Sequence, residues 1–191
     1  MANKNKARED IIEAASRLFR LHGYHGVGLK EILKESGTAK GSLYHYFPEG
    51  KVELAIAAIE HTKEFVFKST LESLKGIEDP VQAFKTHITH LAEEFSKDSI
   101  LGMPVGTIAC ETYLTNEAIR LACKAAFEDW QSLYIEKLLA ANYSEKQAKD
   151  LALVINAMIE GGIILCLTNK TGEPLLTIAK QIPLLLKKEI E

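Results

Sequence analysis

The sequence predicts an all-α protein of about nine helices, a three-helix DNA-binding head with a helix-turn-helix followed by a larger helical domain. Three observations predict this. Apolar residues recur at steps of three and four along most of the 191 residues, as amphipathic helices require. The five prolines and twelve glycines fall mostly between these periodic stretches, where helices begin and end. No convincing strand and no internal repeat interrupts the pattern.

Taken in order, residues 1–6 are polar and expected to be mobile, with Lys4 and Lys6 within reach of a phosphate. From Ala7 to His22, Ile11, Ile12, Ala15, Leu18, Phe19 and Leu21 form an apolar stripe. Glu9 and Asp10 suit the first turn of that helix, and Gly23 ends it. The loop from Gly23 to Gly28 is glycine-rich but precedes no strand, which excludes a nucleotide-phosphate loop. Leu29, Ile32 and Leu33 then make one edge of a short helix broken by Gly37, a residue suited to positive φ at a tight turn. Thr38 is expected to cap the next helix. In that helix Ala39, Leu43, Tyr46 and Phe47 share one face, and Lys40, Gly41, Tyr44 and His45 share the other. A short helix presenting a cation, bare backbone, a phenol and an imidazole suits the DNA major groove. Its bland alternative is a helical hairpin with a solvated side.

A long helix is expected from Lys51 to about Lys75, stopped by Gly76. Asp79 and Pro80 open another, as cap and first residue, carrying Val81, Phe84, Ile88, Leu91 and Phe95. Residues 98–106 are broken by two glycines and a proline, and Gly102 to Gly106 reads as the hinge-prone start of a short helix ending near Leu114. Ligand-driven movement of that helix against the long one would change the separation of two heads. Thr115-Asn116-Glu117 starts a helix to about Ala141. Ser144 and Gln147 form a capping box for a helix to Leu167, and Pro174 begins the last, ending near Lys188. Gly161 and Gly162 sit mid-helix, each costing about 1 kcal/mol relative to alanine, which suggests close approach of another helix. The apolar surplus of the last two helices marks them as the dimer interface.

Composition narrows the function. Net charge is −3, against a protein that coats nucleic acid over its whole surface. Residues 1–51 hold nine basic and six acidic residues while the remainder is net acidic, which places any polyanion contact in the N-terminal quarter. No stretch approaches the ~20 apolar residues of a membrane span, and the start lacks a signal-peptide core. Cys110, Cys123 and Cys166 make no metal-type pair and read as reduced, mostly buried thiols of a cytoplasmic protein.

Ala7 to Leu54 resembles the head of the tetracycline-repressor (TetR) family of transcriptional regulators. The matching residues are Ile11-Ile-x-Ala-Ala-x-x-Leu-Phe19, Gly23-Tyr24, Leu29-x-x-Ile32, Ser36-Gly37, Lys40-Gly-Ser-Leu-Tyr-His-Tyr-Phe47 and Lys51-x-x-Leu54. Gly102-Met-Pro-Val-Gly106, Ile159-Glu-Gly-Gly-Ile163 and Leu167-Thr-Asn-Lys170 are similar to the LmrA/YxaF-like branch. Two features depart from the family pattern. Val27 and Gly28 stand where hydroxyl residues are usual, and Phe47 to Lys51 is one residue longer.

The resemblance implies a head at residues 1–50, a ligand-binding and dimerisation domain at 51–191, and a homodimer joined through its last two helices. Its partners would be a palindromic double-stranded DNA operator and a lipophilic or aromatic small-molecule inducer, such as a flavonoid or antibiotic. Carried over by residue, Lys40, Gly41, Ser42, Tyr44 and His45 face DNA. Lys40 would donate to guanine O6 or N7, Gly41 would let the backbone approach, and Tyr44 and His45 would reach phosphates or a thymine methyl. Lys51 and the amide of Gly28 would meet phosphates.

The ligand-binding set is Trp130, Tyr134 and Phe127 as walls, with Asn156, Glu160, His87, His90, Tyr113 and Met103 as handles or lining. The same aromatics also suit a plain core. His87 and His90 lack an evident third ligand, so no metal is assigned. No catalytic arrangement, cofactor motif or membrane partner is read, and the chain is not read as an enzyme. The alternative is a helical ligand-binding or protein-interaction module without sequence-specific DNA binding.

Overall fold

The computed structural model describes residues 2–95 and 104–187, and among them nine α-helices and no strand. These are α1 (Ala2–His22), α2 (Leu29–Ser36), α3 (Lys40–Tyr46), α4 (Lys51–Leu74), α5 (Pro80–Glu94), α6 (Pro104–Thr112), α7 (Glu117–Ala140), α8 (Glu145–Asn169) and α9 (Glu173–Leu185). Contacts group the chain into two compact units, Met1–Phe65 with Met103–Phe127, and Val66–Gly102 with Glu128–Glu191. The boundary at residue 50 marks the end of the helix-turn-helix motif. The contacts add α6 and parts of α4 and α7 to the motif's own unit.

In the first unit, α1 packs on α2, α3 and α6. Ile11, Ala15 and Phe19 of α1 are buried with Ile32, Leu43, Phe47 and Leu54. Gly23 and Gly37, at φ +72° and +64°, end α1 and α2 in the left-handed region that glycine takes without strain. The Ser16 and Thr62 hydroxyls bond at 3.0 Å, joining α1 to α4, and Arg17 pairs with Glu35 to join α1 to α2.

Several local expectations change. Helix α1 begins at Ala2, so the first residues are helical and Glu9 and Asp10 lie beyond its first turn. Ala39, and not Thr38, is the N-cap of α3, because the Thr38 hydroxyl is engaged with Ser36 at 2.7 Å. Ala39 is exposed and Tyr46 half-buried, so Leu43 and Phe47 carry the inward face of α3. Leu21 and Phe65 are exposed although they continue apolar stripes, and Cys110 is exposed while Cys123 and Cys166 are buried.

In the second unit α9 packs on α5 and α8. A Cβ on Gly162 would lie 2.6 Å from Ile178 and 2.7 Å from Leu175, so this glycine lets α9 of the same chain approach α8. The Asp79 side chain accepts from the amides of Val81 and Gln82 at the start of α5. Ser144 and Gln147 cap α8 reciprocally. Helix α8 is long and apolar enough, by length and composition alone, to cross a membrane, contrary to the sequence expectation. Part of that apolar surface is used inside the unit, where Ile155, Ile159 and Ile163 are buried.

Candidate DNA-binding face and ligand-binding interior

The short α3 divides its residues sharply. Leu43 and Phe47 are fully buried beneath it, while Lys40, Gly41, Tyr44 and His45 are exposed and Ser42 is half-buried. The Lys40 ammonium lies 5.8 Å from the Tyr44 ring centroid, near the outer limit of a cation–π contact. The rings of His45 and Tyr46 meet edge to face at 4.9 Å. A Cβ on Gly41 would meet nothing within 4 Å. Its bare backbone therefore serves no packing inside the described structure. Lys40 and Tyr44 also line a groove of about 630 Å³ with Gly28, Lys30, Glu31 and Leu33 of the neighbouring loop and α2.

The two flanking phosphate contacts are placed differently from expectation. The Gly28 amide donates to the Glu31 carboxylate at 2.8 Å. The third residue of α2 reaches back to cap its own helix, so this amide is not open to a phosphate in the free protein. The Lys51 ammonium sits 4.4 Å from the Tyr24 ring centroid. Burial lowers its pKa, and the nearby carboxylates of Glu111 and Glu31 oppose that shift.

Glu111 of α6 was not legible as a functional residue, because its partners are far away in the chain. It accepts from the His25 amide at 2.7 Å. A Cβ on Gly23 would fall 2.0 Å from its Oε1. The loop after α1 is thus fitted around one carboxylate of α6. Lys30 and Arg8 were also missed. Lys30 lines the groove, and the Arg8 guanidinium lies 5.6 Å from the Phe47 ring. Their common signal was the basic excess of the first quarter.

The expected ligand set divides between the two units. Tyr113 is exposed and Phe127 half-buried in the first, so Tyr113 is no buried handle. Its position near the end of α6 turns it to solvent. Met103 and Gly102 lie outside the described residues, so the hinge expected there is described only from Pro104 onward. In the second unit Trp130, Tyr134, His87 and Asn156 are buried. His90 is exposed.

A hydrogen-bonded chain runs through this second set. The Ser73 hydroxyl donates to the Thr70 carbonyl at 2.8 Å. Its oxygen lies 2.7 Å from Nδ1 of His87, and Nε2 of His87 lies 3.2 Å from the Tyr134 hydroxyl. With the serine proton spent on Thr70, Nδ1–H donates to Ser73 and Tyr134 donates to Nε2. Both ring nitrogens are occupied, so His87 and His90 form no metal chelate in this arrangement. Burial, then the charge of His90, lowers His87 to a pKa of about 4, which keeps the ring neutral at pH 7. Burial raises the Tyr134 pKa, and the charge of Glu160 adds to that. Burial pushes Glu160 up to about 7. Its Oε1 is shielded from solvent and has no hydrogen-bond partner.

Comparison with known proteins agrees with both halves. Residues 11–58 match the family model of bacterial regulatory proteins of the tetR family, and residues 80–181 match that of the LmrA/YxaF-like transcriptional regulator C-terminal domain. The uncharacterised HTH-type transcriptional regulator YxaF of Bacillus subtilis is 46% identical over 99% of this chain and 100% of its own length. The HTH-type transcriptional regulator LmrA of the same organism is 46% identical over 95% and 97%. The crystal structure of a TetR transcriptional regulator from Chloroflexus aurantiacus superposes with a TM-score of 0.82 at 26% identity, covering 95% of this chain and 94% of that one.

Proposed function

The chain belongs to the TetR family of transcriptional regulators, and from that premise we propose that it is a ligand-responsive repressor. It binds a palindromic operator as a dimer and is released by a small lipophilic or aromatic inducer. As a member of that family it is a helix-turn-helix transcriptional regulator and not an enzyme. The observation that carries the reading is α3, whose exposed Lys40, Gly41, Tyr44 and His45 stand over the buried anchors Leu43 and Phe47. A helix anchored from below with donors and bare backbone above is built to enter a groove. Lys40 reads base edges, and the other groups position the helix on phosphates.

The dimer forms through α8 and α9, whose adjacent glycines divide the work. Gly162 is closed over by α9 of its own chain, while a Cβ on Gly161 would meet nothing within 4 Å. On the Gly161 face Leu153, Ile164 and Leu165 are 57%, 63% and 53% exposed, and Leu184 of α9 is 71% exposed. A second copy covers these residues, setting the head spacing to half-sites ~34–36 Å apart or a multiple of that. The protein works in the cytoplasm, where its operator is.

The test is a gel shift and footprint with DNA from upstream of the protein's own gene, over a series of salt concentrations. A protected palindrome, with log affinity falling linearly against log salt, supports the reading. Binding that ignores sequence sinks it. Gly161→Arg should yield monomers in sedimentation and lose the paired footprint.

A further inference from the structure

We propose that Glu160 is the anchor of the ligand site and that the ligand it selects is a lipophilic organic cation, whose positive nitrogen or phosphorus centre rests against the carboxylate between aromatic walls. This rests on the ligand-responsive reading above and names the ligand class for it.

The argument begins with a polar group that the fold leaves unsatisfied. Glu160 Oε1 is sealed from solvent and has no hydrogen-bond partner. An unmade hydrogen bond at a buried carboxyl is costly. Glu160 lies near enough to Tyr134 for its charge to act on the phenol. Yet Tyr134 has no proton to offer, because the order of donors from Thr70 through Ser73 and His87 directs the phenol O–H to Nε2 of His87. The phenol therefore presents lone pairs on the side away from His87. His87 is also spent, with both nitrogens engaged. The residues that could have quieted this carboxyl are arranged to leave it alone.

The surroundings decide between guests. Tyr134 packs edge to face on Phe84 at 5.5 Å, and the buried Trp130 lies one turn before it on α7. Aromatic faces attract cations, most strongly when both are removed from water. A neutral donor satisfies one carboxyl oxygen. A cation satisfies the full charge and gains the ring quadrupoles as well. Burial holds the carboxyl near pKa 7, so in the empty protein at neutral pH much of it is protonated. Seating the cation converts the acid to its carboxylate, and the proton leaves to solvent.

The experiment uses the full-length protein, isothermal titration calorimetry and three cations of different shape: berberine, dequalinium and tetraphenylphosphonium. Flavone serves as a neutral planar control. At least one cation should bind, with affinity reduced ten-fold or more in Glu160→Gln and flavone binding unchanged by that substitution. Titration of the native protein at pH 7 in two buffers of different ionisation enthalpy should show proton release with the cation and none with flavone. This second readout needs no variant. Failure of all three cations to bind overturns the inference, as does equal affinity for native and Glu160→Gln, or binding without proton release. The wider reading fails separately. If a cation binds but leaves the operator complex intact in a gel shift, ligand-responsive repression is wrong while the cation site stands. If a neutral compound releases DNA and no cation binds, the reverse holds.

Discussion

The face of α3 and the interior around Tyr134 hold similar chemistry, a phenol and an imidazole in each, yet they treat it in opposite ways. On α3, Tyr44 and His45 are exposed, so water satisfies them until DNA arrives. In the second unit, Tyr134 and His87 are buried and bonded to each other. There the protein itself must satisfy each group, and Glu160 is the one it leaves out. Function on the surface is therefore separable from stability, whereas function in the interior is held at the expense of stability. Substitutions in the two regions should differ in which property they change.

The largest effect should come from neighbours on α3. Leu43→Ala removes a fully buried side chain and should lower unfolding free energy by about 2–5 kcal/mol, read by chemical denaturation. Tyr44→Ala, one residue on and 46% exposed, should change stability by less than about 0.5 kcal/mol while weakening operator binding. If Tyr44→Ala destabilises the fold as Leu43→Ala does, the division of the helix into anchor and reader is broken.

Glu160 tests the other side of the comparison. Its folded pKa of about 7 lies above the ordinary 4.5, so the native chain holds this proton more tightly than the unfolded chain. Its contribution to stability is fully present below pH 4.5 and is lost as pH rises through 7. The loss approaches about 3 kcal/mol at most. Glu160→Gln should flatten that decline, so that variant and native stabilities converge towards pH 4.5 and separate in the variant's favour by pH 8. Parallel pH profiles would show that the carboxyl is satisfied after all. His87 acts in the opposite window. Its lowered pKa withdraws stability as pH falls from 6.5 towards about 4 in both proteins, so it cancels from the difference.

Glu111 sharpens the comparison within the first unit. It is a charged residue of α6 serving a loop of the head. Glu111→Gln keeps the shape but weakens the charge-assisted bond to the His25 amide, at a cost of about 1 kcal/mol. Hydrogen exchange at that amide should accelerate while Leu43 and its neighbours keep their protection. Unchanged exchange would show that the loop holds its form without α6.

How much of this was legible depends on the distance over which each signal acts. Helix α5 was readable from Asp79-Pro80, and α8 from Ser144 and Gln147, because caps act within one turn. The inward phase of Leu43 and Phe47 was readable for the same reason. Ala39 misled, since a residue at the cap does not share the helical phase of those that follow. Gly161 and Gly162 look identical in sequence, and only the position of α9 shows that one is closed and the other open. The Gly28 amide was assigned to a phosphate because Glu31 was read as part of a face and not as a cap. The Ser73, His87 and Tyr134 chain joins three helices, and no local pattern encodes a donor order. Asn156 and Glu160 stood out as polar residues in an apolar run, but which of them lacks a partner required the packing.

The smallest effect is the most informative, because its two readouts should move in opposite directions. Gly41 is helical, and a Cβ there meets nothing within 4 Å. Gly41→Ala should therefore stabilise the free protein by about 0.5–1 kcal/mol, through the lower backbone entropy of the unfolded chain and alanine's better helix propensity. If the bare backbone exists to approach the duplex, the same methyl group should push α3 out of the groove and weaken operator binding at least ten-fold. The salt dependence should also become shallower as phosphate contacts are lost. A variant that gains stability and keeps its operator affinity would show that the groove face is centred elsewhere, towards Lys30 and the loop before α2.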